Sequence, residues 1–335
     1  MRRRTFCITS AAAAACVAVG SRVRAAQSPL IRVLLGRGSV AQRDAGTFSF
    51  GARSFRGTFA TLPDQQVVNT LPLEQYLYGV VPMESPRLWP SETLQAQAIV
   101  ARTFALARIN PARLYDLTAS SRDQAYGGIE AEHPETTAAV DATAGQVLRY
   151  GGMPASVSYM ACCGGHTEAS ADAWEGGLSY PYLQGVVCTY CSASPDYRWV
   201  ATVPWKTLTD GLAPQLNDLG PVRSAQVAAV DASGRARIVR FDGAGQSVVV
   251  TGKDFRRAAG AALVKSLLLH RIRVADVGSD LNDPTQSAAA LIVEGAGRGH
   301  GVGLCQWGSR TLGQQGRSAP DILAYYFPGT DVGAG

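Results

Sequence analysis

The stretch Gly79-Val-Val-Pro-Met-Glu84-Ser-Pro-Arg-Leu-Trp-Pro90 sets one carboxylate in a proline-bounded connection, with Met83, Leu88 and Trp89 close by. Apolar neighbours disfavour the ionised form of a carboxyl and raise its pKa. A Glu84 held partly protonated near neutral pH has what a general acid requires. The same residues also describe an exposed loop glutamate near a helix start, where negative charge is favoured.

Three further stretches carry reactive or ligand-binding side chains. In Glu92–Arg108, rich in Ala, Gln95 and Arg102 stand seven apart and share a face with Ala98 and Ile99. They form either a structural polar network or a substrate-binding pair. Cys163-x₂-His166 and Cys188-x₂-Cys191 are two short clamps separated by a loop. Three thiolates and one imidazole at that spacing suit a structural Zn²⁺; disulfides are the alternative in an oxidising compartment. Gly295-Ala-Gly-Arg-Gly-His300-Gly-Val-Gly-Leu-Cys-Gln306-Trp307 brackets a histidine with glycines, whose backbone can approach a ligand closely. An amide and a flat apolar ring, Gln306 and Trp307, are suited to sugar contacts. A tight turn with a hydrogen-bonded His300 is the other reading. No Gly-Lys-Ser/Thr ending makes it a phosphate loop.

Around these residues the elements alternate. Residues 30–70 carry short apolar runs broken by glycine, predicting strands. Leu73, Tyr76, Leu77 and Val80 fall at helical spacing, with Pro72 suited to a first turn and Pro82 expected to stop the helix. A second helix is expected from Ser91, as N-cap after Pro90, to the Asn110-Pro111 break. Residues 200–290 look β-rich, with a hairpin over Arg235–Val250 and a helical stretch over Lys253–Leu269. The segment 294–330 is Gly-rich and then helical. Segregated strands and helices predict an α+β fold.

The chain has 335 residues, enough for a substantial core and about two domains. Its 17% charge and 46% apolar content exclude a mostly disordered chain. No uninterrupted apolar run of about 20 residues occurs, which excludes a polytopic membrane protein. Residues 1–25 have the layout of an export signal. Arg2-Arg3-Arg4 precedes an Ala-rich apolar run, and Val23-Arg24-Ala25 offers a cleavage site. Arg3-Arg4-Thr5-Phe6 resembles the twin-arginine variant. The leader's five arginines, taken from 31 basic residues, leave 26 against 26 acidic ones. The mature chain therefore has no electrostatic case for nucleic acid.

Six segments, in order, resemble the SpoIID/LytB family. They are Leu73-Glu-Gln-Tyr-Leu-Tyr-Gly-Val-Val-Pro-Met-Glu84, Leu94-Gln-Ala-Gln-Ala-Ile-Val-Ala-Arg-Thr-Phe-Ala and Ala144-Gly-Gln-Val-Leu. Cys163-Gly-Gly-His-Thr, Gly297-Arg-Gly-His-Gly-Val-Gly-Leu-Cys-Gln-Trp-Gly and Ile322-Leu-Ala-Tyr-Tyr-Phe-Pro-Gly-Thr follow. Trp307 stands where the family commonly has Tyr, and Cys305 where it commonly has Ser.

The resemblance implies an exported protein of the periplasm or cell wall, without a transmembrane helix in the mature chain. Its expected layout is a family-type core over 30–200 and 291–330, with a β-rich insert over 201–290. The implied activity is that of a lytic transglycosylase cleaving glycan strands of peptidoglycan, notably strands stripped of stem peptides. Glu84 is then the catalytic acid, and no cofactor is needed for the chemistry. Ordinary glycosidases need two carboxylates; here the muramoyl C6 hydroxyl attacks and closes a 1,6-anhydro ring, so one suffices. Arg102, Gln95, His300, Gln306 and Trp307 are the expected substrate contacts, and Cys163, His166, Cys188 and Cys191 the expected metal set. Some family members are instead enhancers of a wall amidase, which makes such an amidase an alternative partner and a non-catalytic wall-binding role the alternative function.

Overall fold

The computed structural model describes residues 28–174, 176–275 and 290–335. The expected export signal over 1–25 lies outside the described residues. The fold is α+β, as expected, with nine helices and several small sheets among the described residues. The helices are α1 (Leu73–Glu84), α2 (Ser91–Leu106), α3 (Pro134–Ala142), α4 (Ser170–Ala173), α5 (Trp205–Gly211), α6 (Ala213–Leu216), α7 (Gly252–Ala259), α8 (Gln306–Gln314) and α9 (Ala319–Tyr326).

Strand Leu30–Arg37 pairs antiparallel with Gln66–Pro72 and parallel with Leu117–Thr118. Alternation turns Ile31 and Val33 inward, where α1 lays its apolar stripe of Leu73, Tyr76, Leu77 and Val80. Pro82 does not stop α1. Pro82 lacks an N–H and crowds the preceding turn, but the Val81 carbonyl still accepts from the Ser85 amide at 2.9 Å, and the helix runs on to Glu84. Ser91 is likewise not the cap of α2. Pro90 takes that place, its carbonyl accepting from the amides of Thr93 and Leu94. Alanines let α2 be buried on nearly every side, between α1, α3, α8 and α9.

A second apolar cluster, separate from the first, gathers residues from Trp199 to Val293. Trp199–Pro204 and Leu268–Ala275 flank Ala290–Ala296 in one antiparallel sheet. Val222–Val230, Ala236–Gly243 and Ser247–Thr251 form another, which contains the expected hairpin. The helix expected through Leu269 ends at Ala259. Gly260 takes φ +84°, and the chain turns into strand Leu268–Ala275.

Candidate active site and thiolate cluster

Glu84 is the last residue of α1, not a loop residue. Unpaired carbonyls converge at a helix C-terminus and disfavour negative charge there. Met83 and Leu88, expected as its apolar neighbours, are largely exposed. What buries the carboxyl is the opposite wall. The Ala125 amide donates to Oε1 at 3.1 Å, and the polar side chains of Tyr159 and Gln306, on the same cavity wall, favour the charged carboxylate. Burial raises the pKa of Glu84, and these donors hold it back only in part.

The opposite wall is built by one short parallel pairing, Tyr159–Met160 with Leu304–Cys305. It sets Tyr159 against Leu304 and starts α8 at Gln306, so both side chains arrive together. Gly303 permits the approach: its φ is +79°, and a Cβ there would meet the Ser158 carbonyl oxygen at 2.1 Å. Behind Tyr159, buried Gln124 gives its Nε2 to the phenol oxygen at 3.2 Å, while its Oε1 accepts from the Tyr76 hydroxyl. With its oxygen accepting from Gln124, the Tyr159 hydroxyl keeps its proton for the cavity it shares with Glu84. Gln306 Nε2 also donates to Oε1 of Gln97 on α2.

These groups border a cavity of about 390 Å³, with Glu84, Tyr159, His300 and Gln306 on its wall. His300 has both ring nitrogens engaged. The Val302 amide donates to Nδ1 at 3.1 Å, so Nε2 carries the proton and donates to the Tyr159 carbonyl at 3.0 Å. Burial pushes its pKa down to about 4, leaving a neutral imidazole at neutral pH. It braces the Tyr159 backbone and offers its ring to the cavity.

Of the expected site residues, the structure thus brings Glu84, His300 and Gln306 together. Arg102 lies elsewhere. Its guanidinium is 1% exposed, pairs with Glu74 at 2.7 and 2.8 Å, and donates to the carbonyls of Val140 and Gln146. Gln95 donates to Ser91 on its own helix. Trp307 packs edge-on against Trp89, ring centroids 5.4 Å apart, and neither Gln95 nor Trp307 is on the cavity wall. Sequence reasoning passed over Tyr159, Gln124, Gln97 and Arg108. Arg108 and Arg122 are the cations of the cavity wall, the Arg108 guanidinium lying 3.3 Å above the Phe104 ring.

The cysteines correct the expected ligand set. The Sγ atoms of Cys163, Cys188, Cys191 and Cys305 all lie within 4.8 Å of one another, and all four residues are buried. His166 is not among them; its Nδ1 faces the Thr167 carbonyl at 2.5 Å. Cys305 takes its place, delivered by the same parallel pairing that builds the active-site wall. The Cys163 amide donates to its sulfur at 3.2 Å. The closest sulfurs, those of Cys163 and Cys191, are 3.6 Å apart. Four sulfurs about 2.3 Å from a tetrahedral zinc stand about 3.8 Å from one another. No disulfide joins the five cysteines of the described residues. The donor set therefore fits a closed four-thiolate metal site.

A family profile for SpoIID, described as a stage II sporulation protein, matches residues 63–150. An uncharacterized protein of Brachyspira hyodysenteriae is 32% identical over 291 residues, 85% of this chain and 74% of the relative. The stage II sporulation protein D of Bacillus subtilis is 26% identical over 312 residues, 85% of this chain and 82% of that one. An amidase enhancer of Bacillus subtilis is 27% identical over 291 residues, which cover 76% of this chain but only 40% of the relative.

Proposed function

The chain belongs to the SpoIID family, and we propose that it is an exported peptidoglycan lytic transglycosylase with Glu84 as its one acid/base. The observation that carries this reading is the buried carboxyl of Glu84, its pKa raised, on the wall of a cavity with Tyr159, Gln306 and two cations. A carboxyl kept protonated toward neutral pH can donate to a glycosidic oxygen.

The reaction needs one carboxyl. Glu84 gives its proton to the oxygen leaving the muramoyl C1, and the C1–O bond breaks. The muramoyl C6 hydroxyl bonds to C1, and its proton passes to the Glu84 carboxylate, which restores the acid. No water is consumed. The Tyr159 hydroxyl, the Gln306 amide and the Ala125 amide stabilise the carboxylate while the proton is away. Asp123, the other carboxylate of the wall, has its Oδ2 committed to the Thr118 amide and hydroxyl at 2.8 and 2.7 Å. That arrangement favours a one-carboxylate mechanism over the paired carboxylates of ordinary glycosidases.

A Zn²⁺ held by Cys163, Cys188, Cys191 and Cys305 would act as a cross-link. It would tie the loop after Met160, the 188–191 turn and the start of α8 to one point, and so fix Gln306. With four thiolates the site is closed and leaves no position for a reacting water.

The named amidase enhancer among the relatives favours a second reading, a wall-binding protein that stimulates an amidase. Mass spectrometry of digested glycan strands separates the two. The proposal expects 1,6-anhydro-muramoyl ends from the wild type and a loss of about 10²–10⁴-fold in their formation from Glu84→Gln. Absence of anhydro ends from active, folded protein refutes the enzyme, and full turnover by Glu84→Gln refutes the residue. Export is tested apart, by locating the chain with and without residues 1–25. No helix among the described residues is long and apolar enough to cross a membrane.

A further inference from the structure

The fully buried side chain of Gln124 has its orientation fixed by three neighbours. The Ala101 carbonyl, which can only accept, lies 3.3 Å from Nε2, so the amide nitrogen must face it. The second N–H of that nitrogen goes to the Tyr159 hydroxyl oxygen at 3.2 Å. On its other side Oε1 accepts at 3.3 Å from the hydroxyl of Tyr76, which is also fully buried. Turning the amide over would set oxygen against oxygen at Ala101 and leave buried acceptors unpaired.

This asymmetry passes to Tyr159, which has one hydroxyl proton to place. Its oxygen accepts from Gln124 on the inner side, so the proton lies on the outer side. There Tyr159 borders the same cavity as Glu84 and favours the charged form of its carboxyl. Burial holds the phenol well above its ordinary pKa, so the proton is kept at neutral pH. The N–H received from Gln124 polarises the hydroxyl and makes it a stronger donor. His300 fixes the Tyr159 backbone, giving its Nε2 proton to the carbonyl at 3.0 Å. Gln124 itself is not on the cavity wall.

Resting on the reading of Glu84 as the reacting acid, we propose that Gln124 is a positioning residue that fixes the Tyr159 hydroxyl as a donor toward the Glu84 carboxyl, with Tyr76 and the Ala101 carbonyl setting its amide. The direction of one buried amide then decides whether the carboxylate left by proton transfer meets a donor or an acceptor. An amide nitrogen has two hydrogens, one for Ala101 and one for Tyr159. A carboxylic acid in its place has one, which the Ala101 carbonyl takes. The same oxygen then offers a lone pair to Tyr159 and draws the phenol proton away from Glu84. An ionised carboxylate does the same.

The test is a carbon-13 titration of the Glu84 carboxyl in the full chain, its signal assigned by its loss in Glu84→Gln. Gln124→Glu should raise the Glu84 midpoint by about 0.5–1 pH unit, and Gln124→Met, which removes the link without reversing it, by less. In a Tyr159→Phe background both increments should shrink to about 0.2 pH unit or below, because no hydroxyl remains to turn. The titratable and charged groups around the pair are Tyr76 on α1, Arg108, Arg122 and Asp123 beyond α2, and His300, and these substitutions leave all of them in place. Where Gln124→Met folds poorly, Gln124→Met/Tyr76→Phe removes the orphaned hydroxyl and should give the same increment. The alkaline limb of anhydro-end formation should move in the same order. Absence of anhydro ends removes the enzyme reading, and the titration still decides the role of Gln124. An unmoved midpoint in Gln124→Glu, or increments that persist in full without the Tyr159 hydroxyl, would overturn the proposal, the latter by assigning the effect to charge or packing alone.

Discussion

The amide of Ala125 donates to Oε1 of Glu84 at 3.1 Å, so the carboxyl that ends α1 is held by a segment 41 residues downstream. A second bond ties the same two segments, the Gly127 amide donating to the Gly79 carbonyl at 2.9 Å. The carboxyl is thus positioned by backbone on one side and by Tyr159 and Gln306 on the other. Burial favours its neutral form, whereas all three donors favour the anion.

That opposition sets the pH dependence. Glu84 must enter the reaction protonated, so kcat/KM should fall as pH rises through its folded-state pKa, which lies above the ordinary 4.5. Gln306→Leu and Tyr159→Phe each remove a donor to the anion and leave the burial. Both should move the alkaline limb to higher pH. Stability carries the same sign: a raised carboxyl pKa stabilises the fold below the unfolded value, and that contribution is lost as pH rises through the folded one. Profiles of anhydro-end formation for the three proteins check this, and an alkaline limb displaced downward in either variant would contradict it.

How much of the site could be read from the residues follows from how local each signal is. Glu84, His300 and Gln306 lie in short distinctive runs and all reach the cavity. The Gln95 and Arg102 expectations failed on facing. Helix α2 is buried on most of its circumference, so its apolar pattern points no face toward the cleft; Gln97 meets the site only by accepting from Gln306, and Arg108, past the helix end, is on the cavity wall. Cys305 was missed for a different reason. Spacing within 163–191 completes a plausible set with His166, whereas the sulfur that joins Cys163, Cys188 and Cys191 in the structure comes from 142 residues beyond Cys163. A two-residue parallel pairing brings it there, and a strand that short leaves no periodicity to detect.

The thiolate cluster separates two variants that the cysteine spacing alone would rank the other way. Cys305→Ala should abolish stoichiometric zinc in protein isolated from its native export route, while His166→Ala should retain it. Elemental analysis together with thiol counting decides the matter. Metal lost from His166→Ala and kept by Cys305→Ala would restore the three-thiolate set, and zinc-free wild type with intact disulfides would remove the site altogether.

Arg102 of α2 and Arg108, just beyond its C-terminus, should behave oppositely. Arg102 is buried against Glu74 and two carbonyls, so Arg102→Leu leaves an uncompensated carboxylate and should cost about 3–5 kcal/mol of stability. Removing both partners as Glu74→Leu/Arg102→Leu should recover part of that loss. Arg108→Gln acts at the cavity wall instead and should raise KM for glycan with little change in melting temperature. Thermal melts beside steady-state kinetics test the pair; an unchanged melt for Arg102→Leu would mean its ion pair holds nothing together.

The last prediction concerns how the second apolar cluster is fastened to the first. Arg235 enters from the start of the Ala236–Gly243 strand and is 1% exposed. Its Nη2 donates to the Cys163 carbonyl at 2.9 Å, its Nη1 to the His166 carbonyl at 3.1 Å, and its Nε lies 3.4 Å from Glu168. A Cβ on Gly301 would lie 2.5 Å from the guanidinium carbon, so the glycine loop that carries His300 is shaped around this side chain. One planar cation therefore joins the second apolar cluster to the loop that bears Cys163. Lysine cannot reproduce that fork, because its single ammonium cannot address two carbonyls and a carboxylate at separate angles. Arg235→Lys and Arg235→Met should each cost about 3 kcal/mol or more, about 6–12 °C in Tm for folded units of this size. If Arg235 is the fastening, calorimetry of the variants should also resolve the Trp199–Val293 cluster as an earlier transition. A single transition at the wild-type midpoint would show that the two clusters are held by other contacts.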